Sequence, residues 1–489
     1  MVFYSTDNGV TWTRSSNVKK TGGVERITVA TAPGHPSIVY AMATNPAGNL
    51  ADIFRSTTSG VNFRALRAPT KRFTNPNPPM TGPGAGAFFN TQGWYDQMLV
   101  VDPTNFNRFF FGGALTNAGT SDGGDSYRAV SEWLGRNNLP YVHADSHAAA
   151  YDAAGNLYFG TDGGIFKSTD NGLTFTDVLN VGITTHLLYH LSSSTINRDV
   201  VIGGMQDNGT RLREGTGTIY NQVIGGDGFG CNINASNPML MLGTVQFLSM
   251  RRSTNGGQTF SQACNGGLPC GSGPFISRVV PWTGSATGDV VITHSNTAVW
   301  KTSDYASNWA QLGGAVVTTG ALRNVNVAHS SQIILGAVAS AGRVFLSNDN
   351  GATWTDVGAG LPNNGLSMSY VHFDRVDPNI VYVASVAPDA AAAHLWKSTN
   401  FGTTWARIDS GGGFPTGVPV NVVKTDPANP SIVYAGTHLG VYRSDDGGAN
   451  WVRYGSGMPL VEVTDFYIAP DNSLVRASTY GRGYWELAP

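Results

Sequence analysis

An all-β fold assembled from repeated four-stranded antiparallel units is what this sequence predicts, on three observations. The octapeptide STDNGVTW at Ser5–Trp12 returns as STTSGVNF at 56, STDNGLTF at 168, STNGGQTF at 253 and TSDYASNW at 302. It returns again as SNDNGATW at 347, STNFGTTW at 398 and SDDGGANW at 444, with a weaker TSDGGDSY at 120. From 253 onward the copies lie 49, 45, 51 and 46 residues apart, and the 85-residue gap before 253 implies one repeat whose octapeptide has decayed. Between copies the apolar residues fall in short runs bounded by turn residues, with almost no helical periodicity. Four strands in about 45–50 residues is the period of a propeller blade, so the expected architecture is a β-propeller.

Each element follows from its residues. In one full repeat, Val420-Asn421-Val422-Val423, Ser431–Gly436 and Gly440–Arg443 are three apolar runs, and the strand after the octapeptide turn is the fourth. Within the octapeptide, Asp at the third position can accept backbone N–H bonds across the turn, and Gly at the fifth supplies a positive φ. These aspartates read as turn staples rather than catalytic acids. The closing Trp or Phe is expected to insert between neighbouring sheets.

Counted this way the chain holds ten blades in one ring, a single propeller over 1–489, with a seven- or eight-bladed ring plus accessory strands as the alternative. Residues 463–487 supply three strand-like runs, DFYIA, LVRAS and GYWEL, without a fourth. The N-terminus supplies a strand at Val10–Arg14 with no complete blade before it. Joining the two ends, with 463–489 as the closing blade, would remove the exposed edges, although Val2–Tyr4 competes with GYWEL for the third-strand place. The Pro-, Gly- and Asn-rich insert 67–92 is far longer than a typical connection of about 4–6 residues. Its Phe88 and Phe89, with the neighbouring Trp94, could stack on sugar rings or pack the loop onto the ring.

Composition agrees and excludes other classes. The 489 residues include 62 Gly, and only 13% are charged, about half the usual share of ~25%. That is the signature of neither a coiled coil nor a disordered tail. Thirty Lys and Arg against 32 Asp and Glu give a net charge of −2, so no global field recruits nucleic acid or an anionic membrane. No apolar run reaches the ~18 residues of a membrane-spanning helix. The opening MVFYSTDNGVTW lacks a basic segment followed by an apolar one, as in a mature secreted chain, and a secreted location is the expectation. Cys264 and Cys270 bracket a Gly/Pro turn, CNGGLPC, that could bring them within disulfide reach. Cys231 is left over as a small buried hydrophobe.

The octapeptide S-x-D-x-G-x-T-W resembles the Asp-box, or bacterial neuraminidase repeat, over nearly the whole chain. That repeat is shared by sialidases, xyloglucan-active tandem-propeller glycoside hydrolases, sortilin-type receptors and photosystem assembly factors, so the resemblance implies the fold more than the activity. The Phe/Tyr-Arg-Ile-Pro motif of sialidases is absent. Thr161-Asp162-Gly163-Gly164 and Gly226-Asp227-Gly228-Phe229 look similar to the segments that carry the two aspartates of the xyloglucan-type hydrolases, a family with two seven-bladed rings and a longer chain. Ten blades in one chain are similar instead to the sortilin-type ring, whose tunnel binds peptides, without the cysteine-rich module that follows it.

Candidate chemistry concentrates between 94 and 230, where the repeats depart most from their consensus and polar residues stand at blade starts. Asp162 and Asp227, each flanked by glycines, are the expected acid/base pair of a glycosidase, which needs two carboxylates, with a structural turn role as the alternative for each. Trp94, Tyr95 and Asp96 begin one blade, and His143, Asp145 and His147 the next. Gln206, Asp207 and Asn208 read either as sugar-binding groups or as a capped hairpin turn. The i, i+2, i+4 spacing of His143, Asp145 and His147 places them on one strand face, where they could chelate a divalent metal such as zinc or form a hydrogen-bonded network lining the channel. No cofactor is required. The expected function is carbohydrate binding and hydrolysis of a polysaccharide or oligosaccharide, with a non-catalytic glycan- or peptide-binding scaffold as the alternative.

Overall fold

The computed structural model describes residues 1–489 except 19–22, 67–88, 137, 362–367, 388–392 and 488–489. The structure is all-β, built from small antiparallel sheets of two to four strands. The chain forms two compact units, Met1–Ile183 and Thr184–Pro489. No helix among the described residues is long and apolar enough to cross a membrane.

The first unit holds three larger sheets. One runs Ile27–Ala32, His35–Thr44, Leu50–Ser56 and Arg64–Ala65, and the next Met98–Val101, Phe109–Gly112, Thr116–Thr120 and Arg128–Glu132. Ser146–Tyr151, Leu157–Thr161 and Gly164–Ser168 form the third. Their inner strands pack in succession, the second and third sheets around Phe110, Phe159 and Phe166, and the first two around Tyr40, Phe109, Phe111 and Tyr127. Phe89, the one described aromatic of the 67–92 insert, is buried in that core rather than presented for stacking. Phe88 lies outside the described residues.

The second unit holds seven sheets whose innermost strands are Leu188–Ser193, Cys231–Ile233, Val280–Pro281, Leu322–Val327, Met368–Phe373, Val420–Thr425 and Val463–Ile468. Leu188–Ser193 packs beside both Cys231–Ile233 and Val463–Ile468, so the seven sheets close on themselves. This corrects the expected single ring of ten sealed by the two termini. Among the described residues the sheet at Val463–Ile468, Val475–Thr479 and Tyr484–Leu487 takes no N-terminal strand, and Phe3–Tyr4 pairs with Thr13–Arg14 in a hairpin of its own.

Closure has a specific chemistry. Arg476, 1% exposed, donates from Nη1 to Ser193 Oγ at 2.9 Å and from Nη2 to the Arg198 carbonyl at 2.6 Å. It pairs with Glu486 at 2.8 Å. Gly203 has no side chain because the Tyr484 hydroxyl of the seventh sheet fills that place: a Cβ there would lie 1.8 Å from it. The Tyr484 ring in turn stacks on Tyr220 of the first sheet, with centroids 4.7 Å apart.

The octapeptides fold as their sequence demands. At 444–451, Ser444 Oγ accepts the N–H groups of Asp446 and Gly448, while Asp446 accepts those of Ala449 and Asn450 and the Asn450 side chain. The closing Trp451 is buried and donates to the Ile408 carbonyl of the preceding repeat at 2.9 Å. Trp309 and Trp405 reach back likewise, to Ala263 and Val357. Trp12 departs from the expectation: it is 63% exposed and donates within its own turn, to the Gly9 carbonyl. Cys264 and Cys270 are bridged, with Cα atoms 6.0 Å apart, and Cys231 is a buried free thiol.

Two predictions follow from this bonding. The position-seven side chain, then its backbone N–H, then the position-one Ser hold the carboxyls of Asp7, Asp349 and Asp446 at about 2. Because these folded-state values lie below the unfolded value of about 3.9, their stabilisation is present above that value and is lost as pH falls toward 2. Melting temperature should therefore drop progressively over this window, and a melt unchanged between about pH 5 and pH 2.5 would refute the linkage. At the closure, Arg476→Met keeps the apolar stem but forfeits the charged hydrogen bonds, with an expected loss of about 2–3 kcal/mol. An unchanged urea midpoint would show that these bonds do not hold the ring.

Candidate functional site

The first unit gathers most of the predicted residues at one place. Leu157–Thr161 and Gly164–Ser168 form a hairpin in which Thr161 faces Gly164, leaving Asp162 and Gly163 at the tip. Gly163 is required there, since a Cβ would lie 2.1 Å from the His143 ring. The Asp162 carboxylate, about one-seventh exposed, lies 2.9 Å from His147 Nε2. Its second oxygen accepts the Tyr95 hydroxyl at 2.8 Å. The Tyr95 and His147 rings meet edge to face, centroids 4.6 Å apart, and Trp94 stands beside Tyr95 at 5.7 Å. Trp94 is 58% exposed, and Arg26 fixes the segment by donating to the Trp94 and Tyr95 carbonyls.

Asp96 and Asp145 sit behind this cluster. Burial first, then the adjoining Asp145 carboxyl, pushes Asp96 well above the usual carboxylate range. Asp145 is raised as well, by burial ahead of the Asp162 charge. Carboxyls displaced in this way are a common mark of functional sites. The expectation that His143, Asp145 and His147 share a strand face is corrected. The strand begins only at Ser146, Asp145 has φ 60°, and the register shifts between Ser146 and Ala148. A left-handed residue and a bulge together break the period of two. His143 Nδ1 lies instead 3.1 Å from the Ala144 carbonyl.

The second unit carries the remaining residues in a different arrangement. Gln206, Asp207 and Asn208 form the turn between Val201–Met205 and Gly209–Arg213, the hairpin of the two sequence alternatives. Asp227 braces it: Oδ1 accepts the Asp207 N–H and Oδ2 accepts Gln246 Nε2, each at 2.8 Å. The Gln206 side-chain oxygen accepts the Tyr189 hydroxyl at 2.6 Å and also that of Tyr480. Tyr189 and Tyr480 line a cavity of about 290 Å³ together with Arg278, Tyr370 and Glu462.

Deeper in the ring lies a charged cluster that sequence reading missed. Asp465 pairs with Lys424 at 3.0 Å and with Arg278 at 3.4 Å, and Arg278 donates to the Tyr370 hydroxyl at 3.2 Å. Against the cost of burial, Arg278 and then Lys424 hold Asp465 at about 2. Burial, then Lys424, lowers His372 to about 3. These side chains come from or adjoin innermost strands of four different sheets. The one available signal was a charged or polar residue inside an otherwise apolar first strand.

Fold and repeats define the class: an all-β propeller protein carrying Asp-box repeats. The BNR/Asp-box repeat family matches residues 3–14. A xyloglucanase of a Paenibacillus species is 27% identical over 188 residues, covering 35% of this chain and 17% of that protein. A probable oligoxyloglucan-reducing end-specific xyloglucanase of Neosartorya fischeri is 29% identical over 135 residues, 26% of this chain and 16% of its own length. The chain thus aligns to about a sixth of the length of these curated relatives. Among solved structures, the GH74 enzyme of Niastella koreensis superposes over 94% of this chain and 90% of its own, at 14% identity and a TM-score of 0.33.

The bonding of Asp227 yields a prediction. Both of its oxygens accept from N–H donors, so in Asp227→Asn the amide NH₂ must face a donor in either orientation. The variant should lose about 1–3 kcal/mol of stability. A wild-type urea midpoint would mean that the brace contributes nothing.

Proposed function

We propose that this protein is a carbohydrate-active propeller that binds a polysaccharide or oligosaccharide and cleaves its glycosidic bonds. The observation that carries the reading is the Asp162 site. An ionisable carboxylate at a glycine-flanked hairpin tip, bonded to Tyr95 and His147, stands beside the exposed aromatic surface of Trp94. Flat aromatic faces suit the apolar faces of sugar rings, and a carboxylate with fixed orientation suits their hydroxyls or a proton-transfer role. The xyloglucanase similarity supports a β-glucan substrate of the xyloglucan type. Asp162 is the carboxylate that meets the substrate in the first unit. Asp227 retains its sequence-based candidacy as the second carboxylate. Its engagement by Asp207 and Gln246 favours a second reading, a glycan-binding scaffold without hydrolysis. The Cys264–Cys270 bridge supports an oxidising compartment, and we place the protein outside the cell.

The test is a screen of the purified protein against xyloglucan, its oligosaccharides and unrelated glycans, measuring binding and released reducing ends. Xyloglucan should be bound and cleaved. Asp162→Asn should lower turnover by at least ~10²-fold, the size typical of general acid–base catalysis, with the melting temperature kept. Binding without cleavage by the wild type would replace the hydrolase with the scaffold, and absence of both would reject a carbohydrate function.

A further inference from the structure

The charges inside the second unit's ring do not balance. A cavity of about 440 Å³ lies there, lined by three permanent cations, Arg278, Arg375 and Lys424. Among the described residues of its wall, Asp465 is the one carboxylate. It is shared between Arg278 and Lys424, so that trio keeps a net positive charge although Arg278 is 8% and Asp465 6% exposed. Arg375 enters no ion pair among the described residues, and burial alone lowers its basicity. The adjoining Asp374 does not serve it, since its Oδ1 accepts the N–H groups of Val376 and Asp377. The wall's histidines add no charge to either side: burial, ahead of the neighbouring cations, holds His190, His329 and His372 below their ordinary range.

Unmet polar atoms stand in the same wall. His190 is 8% exposed, and its Nδ1 has no hydrogen-bond partner among the described residues. The buried Trp282 Nε1–H likewise donates to none of them. Lys424 spends two of its three N–H groups, on Asp465 at 3.0 Å and on the Phe466 carbonyl at 2.5 Å, which leaves a third. A buried cation without a counter-charge is costly, and a buried donor without an acceptor adds to that cost. Water would satisfy the donors but not the charge. An anion meets both. The rest of the wall is apolar, with Val280, Phe373, Phe466 and Ile468 beside the Trp282 ring. A bare inorganic oxyanion would leave that surface uncovered, whereas an acid on an apolar or flat body covers it.

We propose that this cavity binds a small organic carboxylate, its oxygens met by Arg278, Arg375 and Lys424 and its body by Trp282 and Phe373. Guanidinium groups suit a planar carboxylate because their N–H groups form parallel pairs of hydrogen bonds. Such a group occurs on a free organic acid and on the uronate unit of an acidic sugar, and both present the same chemistry to the site. The cations are assembled by ring closure on separate sheets, so their positions are fixed before the ligand arrives. The site lies wholly in the second unit and stands whether or not the protein cleaves a glycan.

The full chain is titrated calorimetrically at neutral pH with sodium benzoate, and in separate arms with sodium glucuronate, inorganic phosphate and benzamide. One of the two carboxylates should bind at a single saturable site with a dissociation constant of about 1 mM or tighter, and should raise the melting temperature. The tighter of the two identifies the source, free acid or sugar. Benzamide, which keeps the ring and lacks the charge, should not bind. Arg375→Gln should weaken carboxylate binding about tenfold or more, the loss of a charged hydrogen bond, with the melting temperature kept because Arg375 holds no ion pair. Lys424→Met should weaken it as well while lowering the melt, since it strips Asp465 of a partner, so the Arg375 variant separates lost binding from lost folding. Four results would overturn the site: no saturable heat or thermal shift with either carboxylate up to about 10 mM, benzamide bound as tightly as benzoate, wild-type affinity in Arg375→Gln, or phosphate preferred over both carboxylates.

Discussion

A propeller sheet buries both faces only if it has a neighbour on each side, and the seventh sheet of the second unit finds its second neighbour in the first. That contact, Leu188–Ser193 against Val463–Ile468, is where the array ceases to have free ends. The groups sealing it combine polar and aromatic contacts. They are a buried guanidinium, a tyrosine pushed into the space of a missing Gly203 side chain, and a stacked tyrosine pair. Directional bonds and shape complementarity at this seam select a register that apolar burial alone leaves open.

The ring's interior depends on that seal. Once seven first strands converge, their inward residues share a small space, and charges placed there must satisfy one another. Arg278, Lys424 and Asp465 do so through two ion pairs and a tyrosine hydroxyl. Buried ion pairs of this kind contribute little net stability against apolar replacements, whereas removing one member is costly. The cluster consequently ties four sheets together in one arrangement. The same economy of donors and acceptors shows in Asp227, whose two oxygens accept from the Asp207 N–H and from Gln246.

The candidate residues of the sequence divide by what kind of signal marked them. Tyr95, His147 and Asp162 were marked as polar residues at blade starts and in a glycine-flanked turn, and the structure bonds them to one another. Asp227 carried the same mark, yet serves a turn, because a Gly-Asp-Gly segment looks alike whether its carboxylate faces solvent or a backbone N–H. The strand-face reading of 143–147 failed on two backbone features, a left-handed Asp145 and a bulge at His147, that neither residue type nor spacing announces. Arg278, Lys424 and Asp465 escaped notice because Arg278 lies 187 residues from Asp465 and Lys424 sits on yet another sheet.

By itself the sequence determined the all-β class, the repeat and the internal bonding of each octapeptide, because those interactions lie within eight residues. A Ser oxygen two and four positions before an N–H, and an Asp four before a hydroxyl, need no distant partner. The Cys264–Cys270 bridge belongs with them, closing across six residues. Tertiary structure alone decided which sheet closes the ring, how the chain divides at 183–184, and which carboxylates meet. Val463–Ile468 could have packed beside any first strand of matching pattern, and nearly every sheet offers one. The choice fell to Arg476 and Tyr484, whose partners exist only once the first and seventh sheets are side by side.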